Sequence, residues 1–233
     1  MQPEIIALGA LWYIAFLFSL TCHEASHALA AKWGGDLTAA EGGQVTLNPL
    51  PHIRREVFGT TIVPILSYVL GGWMIGWGSA PFDPHWRYQH PRRAAWMALA
   101  GPAANFALML TAALAIRLGI LAGVFLPPQS AQFTRVVAAT QRGPFEGAAI
   151  LLSIMFSLNL LLGLFNLLPV PPLDGHGAIC LLFSEDFARR YIEITHNPSL
   201  SMIGLVVSWK IFGYLYDPIF LLALNCMYPG LYR

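Results

Sequence analysis

Two histidines and a glutamate fall within one turn of sequence at His23-Glu24-Ala25-Ser26-His27. On an α-helix, residues four apart leave from the same face, so His23 and His27 can reach one metal ion together. Glu24 stands one step round the helix, placed to hold a water beside that ion without being a ligand. This H-E-x-x-H spacing suits metal-assisted hydrolysis, with zinc as the Lewis acid and the carboxylate as the base. Such a site needs a third protein ligand and an open fourth position. The candidate is Asp174, in Asn166-Leu-Leu-Pro169-Val-Pro171-Pro172-Leu173-Asp174-Gly175. It is the only acidic residue between Glu146 and Glu185. The prolines end the apolar helix before it, and Gly175 permits a sharp turn or close approach. An aspartate here also suits the N-cap of a following helix. The residues alone leave ligand and cap open.

The elements that carry these groups are apolar. Of 233 residues, 56% are hydrophobic and 11% charged, with mean hydropathy +0.59. Soluble domains carry about 25% charged residues, so the depletion points to a membrane protein. A net charge of +1 gives no basis for nucleic acid as a partner. Cys22, Cys180 and Cys226 form no CxxC pair and no disulfide framework. The length suits one domain, 1–233. The first segment lacks a positive n-region, and cleavage near Ala30 would discard the histidines. It reads as a retained helix rather than a targeting peptide. Two histidines and a glutamate in a membrane helix are costly unless they serve a site.

Five apolar stretches are long enough to be membrane segments. They run over about 5–33, 57–77, 94–120, 147–168 and 200–227. The expected fold is therefore an all-α polytopic membrane protein of about five to six membrane segments. Gln44-Val-Thr-Leu47 alternates after Gly42-Gly43, which predicts a short re-entrant loop or β-hairpin near 36–50. Taking five full crossings, Arg87, Arg92, Arg93, Arg189 and Arg190 share the amino-terminal side. Lys32, Arg54, Arg55, Arg117, Arg135, Arg142 and Arg233 take the other. That split is too even for the positive-inside rule to set an orientation. Five full crossings also put Asp174 on the face opposite His23 and His27. Either 57–77 re-enters without crossing, or the pieces meet inside the bilayer. Pro64 and Gly71-Gly72 suit a kinked or re-entrant piece.

Taken together, three motifs in order resemble the site-2 protease family of intramembrane zinc metalloproteases. They are His23 to His27, Gly101-Pro102-Ala-Ala-Asn105, and Asn166 to Gly175, spanning most of the chain. The chain looks like the compact bacterial or archaeal form without a PDZ or CBS module, as does Asn48-Pro49-Leu-Pro-His52. The resemblance implies one Zn2+ per chain, held by His23, His27 and Asp174, with Glu24 as catalytic base. Asn105 and Asn166 match motif positions. A role in substrate positioning or oxyanion binding and a role in helix–helix hydrogen bonding are both open for them. His176, after Gly175, could be a supporting group or a competing ligand.

The resemblance further implies an integral protein of the lipid bilayer, in a prokaryotic cell (inner) membrane. The substrate would be a transmembrane segment of another protein, unwound before attack and paired with the edge of the 36–50 hairpin. The competing readings are an inactive homologue that binds membrane helices and a metal transporter. Ionisable groups concentrated at one motif pair favour catalysis. Lys210 and Asp217, seven apart, could pair or line a gate. The sequence leaves substrate and oligomeric state open.

Overall fold

The computed structural model describes residues 3–195 and 197–232. Four helices are long and apolar enough to cross a membrane: α1 (Pro3–Gly34), α6 (Pro91–Leu121), α7 (Pro144–Asn166) and α10 (Pro198–Met227). The chain is an all-α, polytopic integral membrane protein. Helix α1 packs chiefly against α6 and α7, with Ala15, Ala28 and Ala31 fully buried. Small residues let helix backbones approach closely where lipid gives no hydrophobic drive. Helix α10 packs on α7 through Phe165, Phe212 and Tyr216.

The second apolar stretch does not cross. It forms α4 (Phe58–Gly71), which opens with a π-helical turn over Phe58–Ile62. At ~1.5 Å per residue it spans only ~21 Å, short of the roughly 30 Å hydrocarbon core. Its far end lies beside the start of α1, where Tyr68 donates to the Ile5 carbonyl at 2.8 Å. Gly72 then takes a left-handed φ of 76° and ends the helix. The irregular segment 72–83 runs back the way α4 came. Trp77 N donates to Gly59 O (3.1 Å), and Asp83 N reaches Asp36 just past the end of α1 (2.9 Å). Helix α5 (Pro84–Gln89) is pinned there by Trp86 Nε1 on Gly34 O at 3.0 Å. So α4 and 72–83 enter and leave at one end, and α6 starts beside the end of α1.

Of the loop or hairpin expected near 36–50, the structure has a loop with short helical turns and no paired strands. The segment forms α2 (Thr38–Glu41), a turn, and α3 (Pro49–Arg55). Asn48 caps α3 by accepting from Leu50 N (3.1 Å), with Pro49 at its first position. Buried His52 donates to the Thr46 carbonyl at 3.1 Å, which closes the turn. The local capping chemistry outweighs the short alternation at 44–47. Among the described residues, strands occur only as β1 (Phe125–Leu126) and β2 (Ala138–Ala139), an antiparallel pair in the loop after α6.

After α7 the chain returns to the end where α1 finishes. There lie α8 (Asp174–Ala178), continued by a 3-10 turn at Ile179–Leu182, and α9 (Glu185–Thr195). Helix α10 then crosses to the other end, where Arg117 donates to Met227 O at 2.9 Å. The charges sort with this path. Lys32, Arg54, Arg55, Arg87, Arg92, Arg93, Arg189 and Arg190 gather at the end that holds Asp174. Among the described residues, only Arg117, Arg135 and Arg142 belong to the other end.

Candidate active site

His23, Glu24 and His27 are all buried on α1, four residues of helix placing both imidazoles on one face. His27 Nδ1 lies 2.7 Å from the Met97 carbonyl of α6. A carbonyl only accepts, so Nδ1 carries the proton. Met97 sits one residue before Ala98, the carbonyl that Pro102 leaves without its helical donor. His23 Nδ1 lies 2.6 Å from Asn105 Oδ1. The Asn105 amide in turn donates to Asn159 Oδ1 (2.8 Å), and Asn159 donates to Ser19 Oγ (2.8 Å) and Met155 O (2.8 Å). This chain fixes the Asn105 orientation, and with it the His23 tautomer.

With both Nδ1 atoms protonated, both Nε2 atoms present lone pairs. They lie 3.0 Å apart. Asp174 Oδ2 lies 3.0 Å from His23 Nε2 and 3.2 Å from His27 Nε2, and has no hydrogen-bond donor of its own. Three acceptors therefore converge on one point. A proton or a metal cation must sit among them, because three lone pairs at this range repel. Ligands around tetrahedral zinc lie roughly 3.3 Å apart, so the spacing fits that ion. Among the described residues, His23, His27 and Asp174 are the one group of three that could hold a metal. Gly101 of α6 faces the same point: a Cβ there would meet both Nε2 atoms. Asp174 opens α8 without capping it by a side-chain bond, so of its two possible roles the geometry fits the ligand.

Glu24 lies beside this group against the returning segment. A Cβ on Gly78 would stand 2.7 Å from Glu24 Oε1, so the glycine leaves the room that the carboxylate occupies. A cavity of about 900 Å³ opens here. Ile75 to Ala80 form one wall, and Leu205, Val206, Trp209 and Lys210 of α10 another. Of the backbone amides of 73–83, only those of Ile75, Trp77 and Asp83 donate to protein acceptors among the described residues. Of the others, Gly76, Gly78, Ser79, Ala80 and Phe82 belong to the cavity wall.

The remaining sequence candidates separate. Asn105 is fully buried, and both its polar atoms are engaged. Its Oδ1 faces His23 and its Nδ2 donates to Asn159, an arrangement that suits helix–helix hydrogen bonding. Asn166 does line the cavity, with Nδ2 bonded back to Leu162 O at 3.1 Å. His176 is buried against Thr195 (Nε2 to Oγ1 2.6 Å) and does not join the ligand group. Lys210 and Asp217 form no ion pair among the described residues. Sequence reasoning missed Asn159, Gly78 and Arg87. Asn159, an amide in the middle of the mainly apolar α7, was the legible signal, since an amide deep in a span must find a partner.

Fold and site together define a polytopic membrane protein in which two buried histidines and a half-buried aspartate form a group that could bind a metal, beside a glutamate. The chain belongs to peptidase family M50, whose model matches residues 11–210, and the site-2 protease resemblance is borne out. It is 34% identical over 168 residues to the "Putative zinc metalloprotease YwhC" of Bacillus subtilis, covering 71% of this chain and 66% of that protein. It is 33% identical to "Putative zinc metalloprotease Rip2" of Mycolicibacterium smegmatis (70% of this chain, 54% of the relative). Against Rip2 of Mycobacterium tuberculosis the identity is 30% (77% and 60%). The matches thus span between about half and two thirds of these relatives. No solved structure matches the chain significantly.

Proposed function

We propose that this chain is a zinc-dependent intramembrane endopeptidase that cuts peptide bonds in or near transmembrane segments of other proteins. The observation that carries this is the convergence of His23 Nε2, His27 Nε2 and Asp174 Oδ2 within 3.2 Å, beside Glu24 and open to a cavity among apolar helices. Family membership and the names of the relatives support zinc and proteolysis.

In this reading His23, His27 and Asp174 are the metal ligands. Zinc, when bound, supplies Lewis acidity at the scissile carbonyl and lowers the pKa of water. Glu24 takes the proton from the attacking water and passes it to the leaving amine. Asn105 and the Met97 carbonyl hold the two imidazoles in the tautomers that leave Nε2 free. Asn166, on the cavity wall, is placed to touch substrate. The substrate must unwind before attack, because a helix spends its carbonyls on its own hydrogen bonds. The unpaired amides of 73–82 offer such a strand its partners. That segment takes the role expected of the 36–50 hairpin, and it runs past Glu24. The protein would reside in a prokaryotic cell membrane.

The Glu24→Gln variant tests the reading. It should retain one zinc per chain by metal analysis and lose cleavage of a reconstituted membrane substrate. Full cleavage by the variant would remove Glu24 from the chemistry. Zinc transport across proteoliposomes by wild type would favour a transporter instead.

A further inference from the structure

Arg87 is the one basic side chain of α5 that turns into the large cavity. Its neighbour Trp86 anchors the helix to the end of α1. Arg87 itself lines the cavity together with Asp174, His176 and Cys180. Its guanidinium lies over the Phe82 ring, 5.5 Å from the centroid. Among the described residues it has no carboxylate within ion-pair distance and no side-chain hydrogen bond. The nearby acids are committed elsewhere: Glu185 and Asp186 both bind Arg189, at 3.1 and 2.9 Å.

The groups closest in charge terms, Cys180 and Tyr191, supply no anion. Burial raises the Cys180 thiol against the pull of Arg87, and burial raises the Tyr191 phenol as well. Arg87 therefore holds five N–H donors and a positive charge on the cavity wall, with no side-chain acceptor among the described residues. The side chain is half-buried, so a carboxylate entering the cavity would meet a guanidinium already partly stripped of water and free to pair.

We propose that Arg87 is a carboxylate-binding subsite, which receives an aspartate or glutamate side chain of the substrate close to the cleaved bond. This rests on the proteolytic reading of the same cavity. The guanidinium is a planar fork matched to a carboxylate, and a half-desolvated setting strengthens the pair. A lipid phosphate is the other anion at this end of the molecule. The direction of the side chain favours the substrate, because Arg87 points onto Phe82 and towards α8 and α9, inside the cavity that holds Asp174.

The test uses the full-length Glu24→Gln protein, which binds without turning over. The probes are synthetic single-span peptides with a helix-breaking Asn-Gly at the centre. Each carries one Glu, or Gln in its place, at successive positions on either side of that break. At one position the Glu peptide should bind about tenfold more tightly than its Gln twin. Adding Arg87→Gln should erase that ratio, Arg87→Lys should keep part of it, and Arg87→Glu should turn preference towards a Lys peptide. Zinc content reports that each variant is folded. Equal Glu and Gln binding at every position, or a ratio that survives Arg87→Gln, overturns the subsite. So does a change confined to dependence on phosphatidylglycerol in the vesicles, which would give the guanidinium to lipid. A Glu preference lost on Arg87→Gln, in a protein whose wild type cleaves nothing, would keep the subsite and sink the protease.

Discussion

Asn105 meets the Nδ1 of His23 at 2.6 Å from a position with no solvent exposure at all. It ties α6 to α1, and through Asn159 to α7, at the one point where an imidazole must keep its orientation. Asn105→Ala should leave that imidazole free to turn and its Nδ1 proton without an acceptor. Zinc affinity should fall by about 10- to 100-fold, measured by competition with a chromogenic chelator. Asn159→Ala should give a smaller loss of the same kind. An unchanged affinity in both would detach this relay from the metal.

Gly101→Ala is a sharper change than its one methyl suggests. Its Cβ would stand between the two Nε2 atoms, where the metal belongs. The variant should bind no zinc, and it should still insert and fold, because α6 favours Ala over Gly by about 1 kcal/mol. Circular dichroism with metal analysis would separate this from general unfolding.

Zinc should also contribute to stability. A ligand that binds only the native state adds about 2.7 kcal/mol at 100 times its Kd. Adding a chelator to purified protein should lower the unfolding temperature. The same addition should do nothing to Asp174→Ala, which lacks the third ligand.

Asp36 joins the end of α1 to the start of α5. Its Oδ1 accepts from Thr38 N and Oγ1 (2.9 and 2.6 Å), and its Oδ2 from Asp83 N (2.9 Å). Burial alone would raise this carboxyl, but the three donors hold it below its ordinary value. A lowered folded pKa means stability that is complete above the unfolded value, about 3.9, and is lost as pH falls through the folded one. Asp36→Asn should therefore cost about 1–3 kcal/mol at pH 7. The gap to wild type should close as pH drops below about 4. A gap that does not vary with pH would mean the charge is not what matters.

The basic residues assign a direction to the bundle. Eight gather at the site end against three at the other among the described residues outside the span interiors, so the positive-inside rule predicts that the site end faces the cytoplasm. A fluorescent-protein or phosphatase reporter placed in the 43–47 turn should report a cytoplasmic position. One placed near Arg135 should report the opposite side.

How much of this was legible beforehand varied with the physics involved. His23, Glu24 and His27 could be placed because a helix of fixed pitch decides their geometry. Asp174 came from motif order rather than geometry, since no local rule says where a chain returns after three prolines. The four long spans declared themselves by length. Helix α4 was legible only as one of two possibilities: Pro64 and Gly71-Gly72 suited a re-entrant piece, but the apolar run 57–77 continues past Gly72 into Trp73, Met74 and Trp77. Composition cannot distinguish helix from returning coil when both are apolar. The 44–47 alternation misled for the opposite reason: Asn48-Pro49 is a strong helix start, and local capping prevailed. Arg87 was invisible as a cavity group, since nothing in its neighbours says which way a short helix turns.

The out-and-back path of α4 and 72–83 settles a question of parity. A segment that crosses inverts the sidedness of everything after it, and one that returns inverts nothing. Suppose the chain stayed at the far end after Gly72 instead of running back to Asp36. Every later helix would then flip, and Asp174 would sit a full bilayer away from His23 and His27. The three atoms that could hold the metal are thus kept together by a returning segment that contributes none of them.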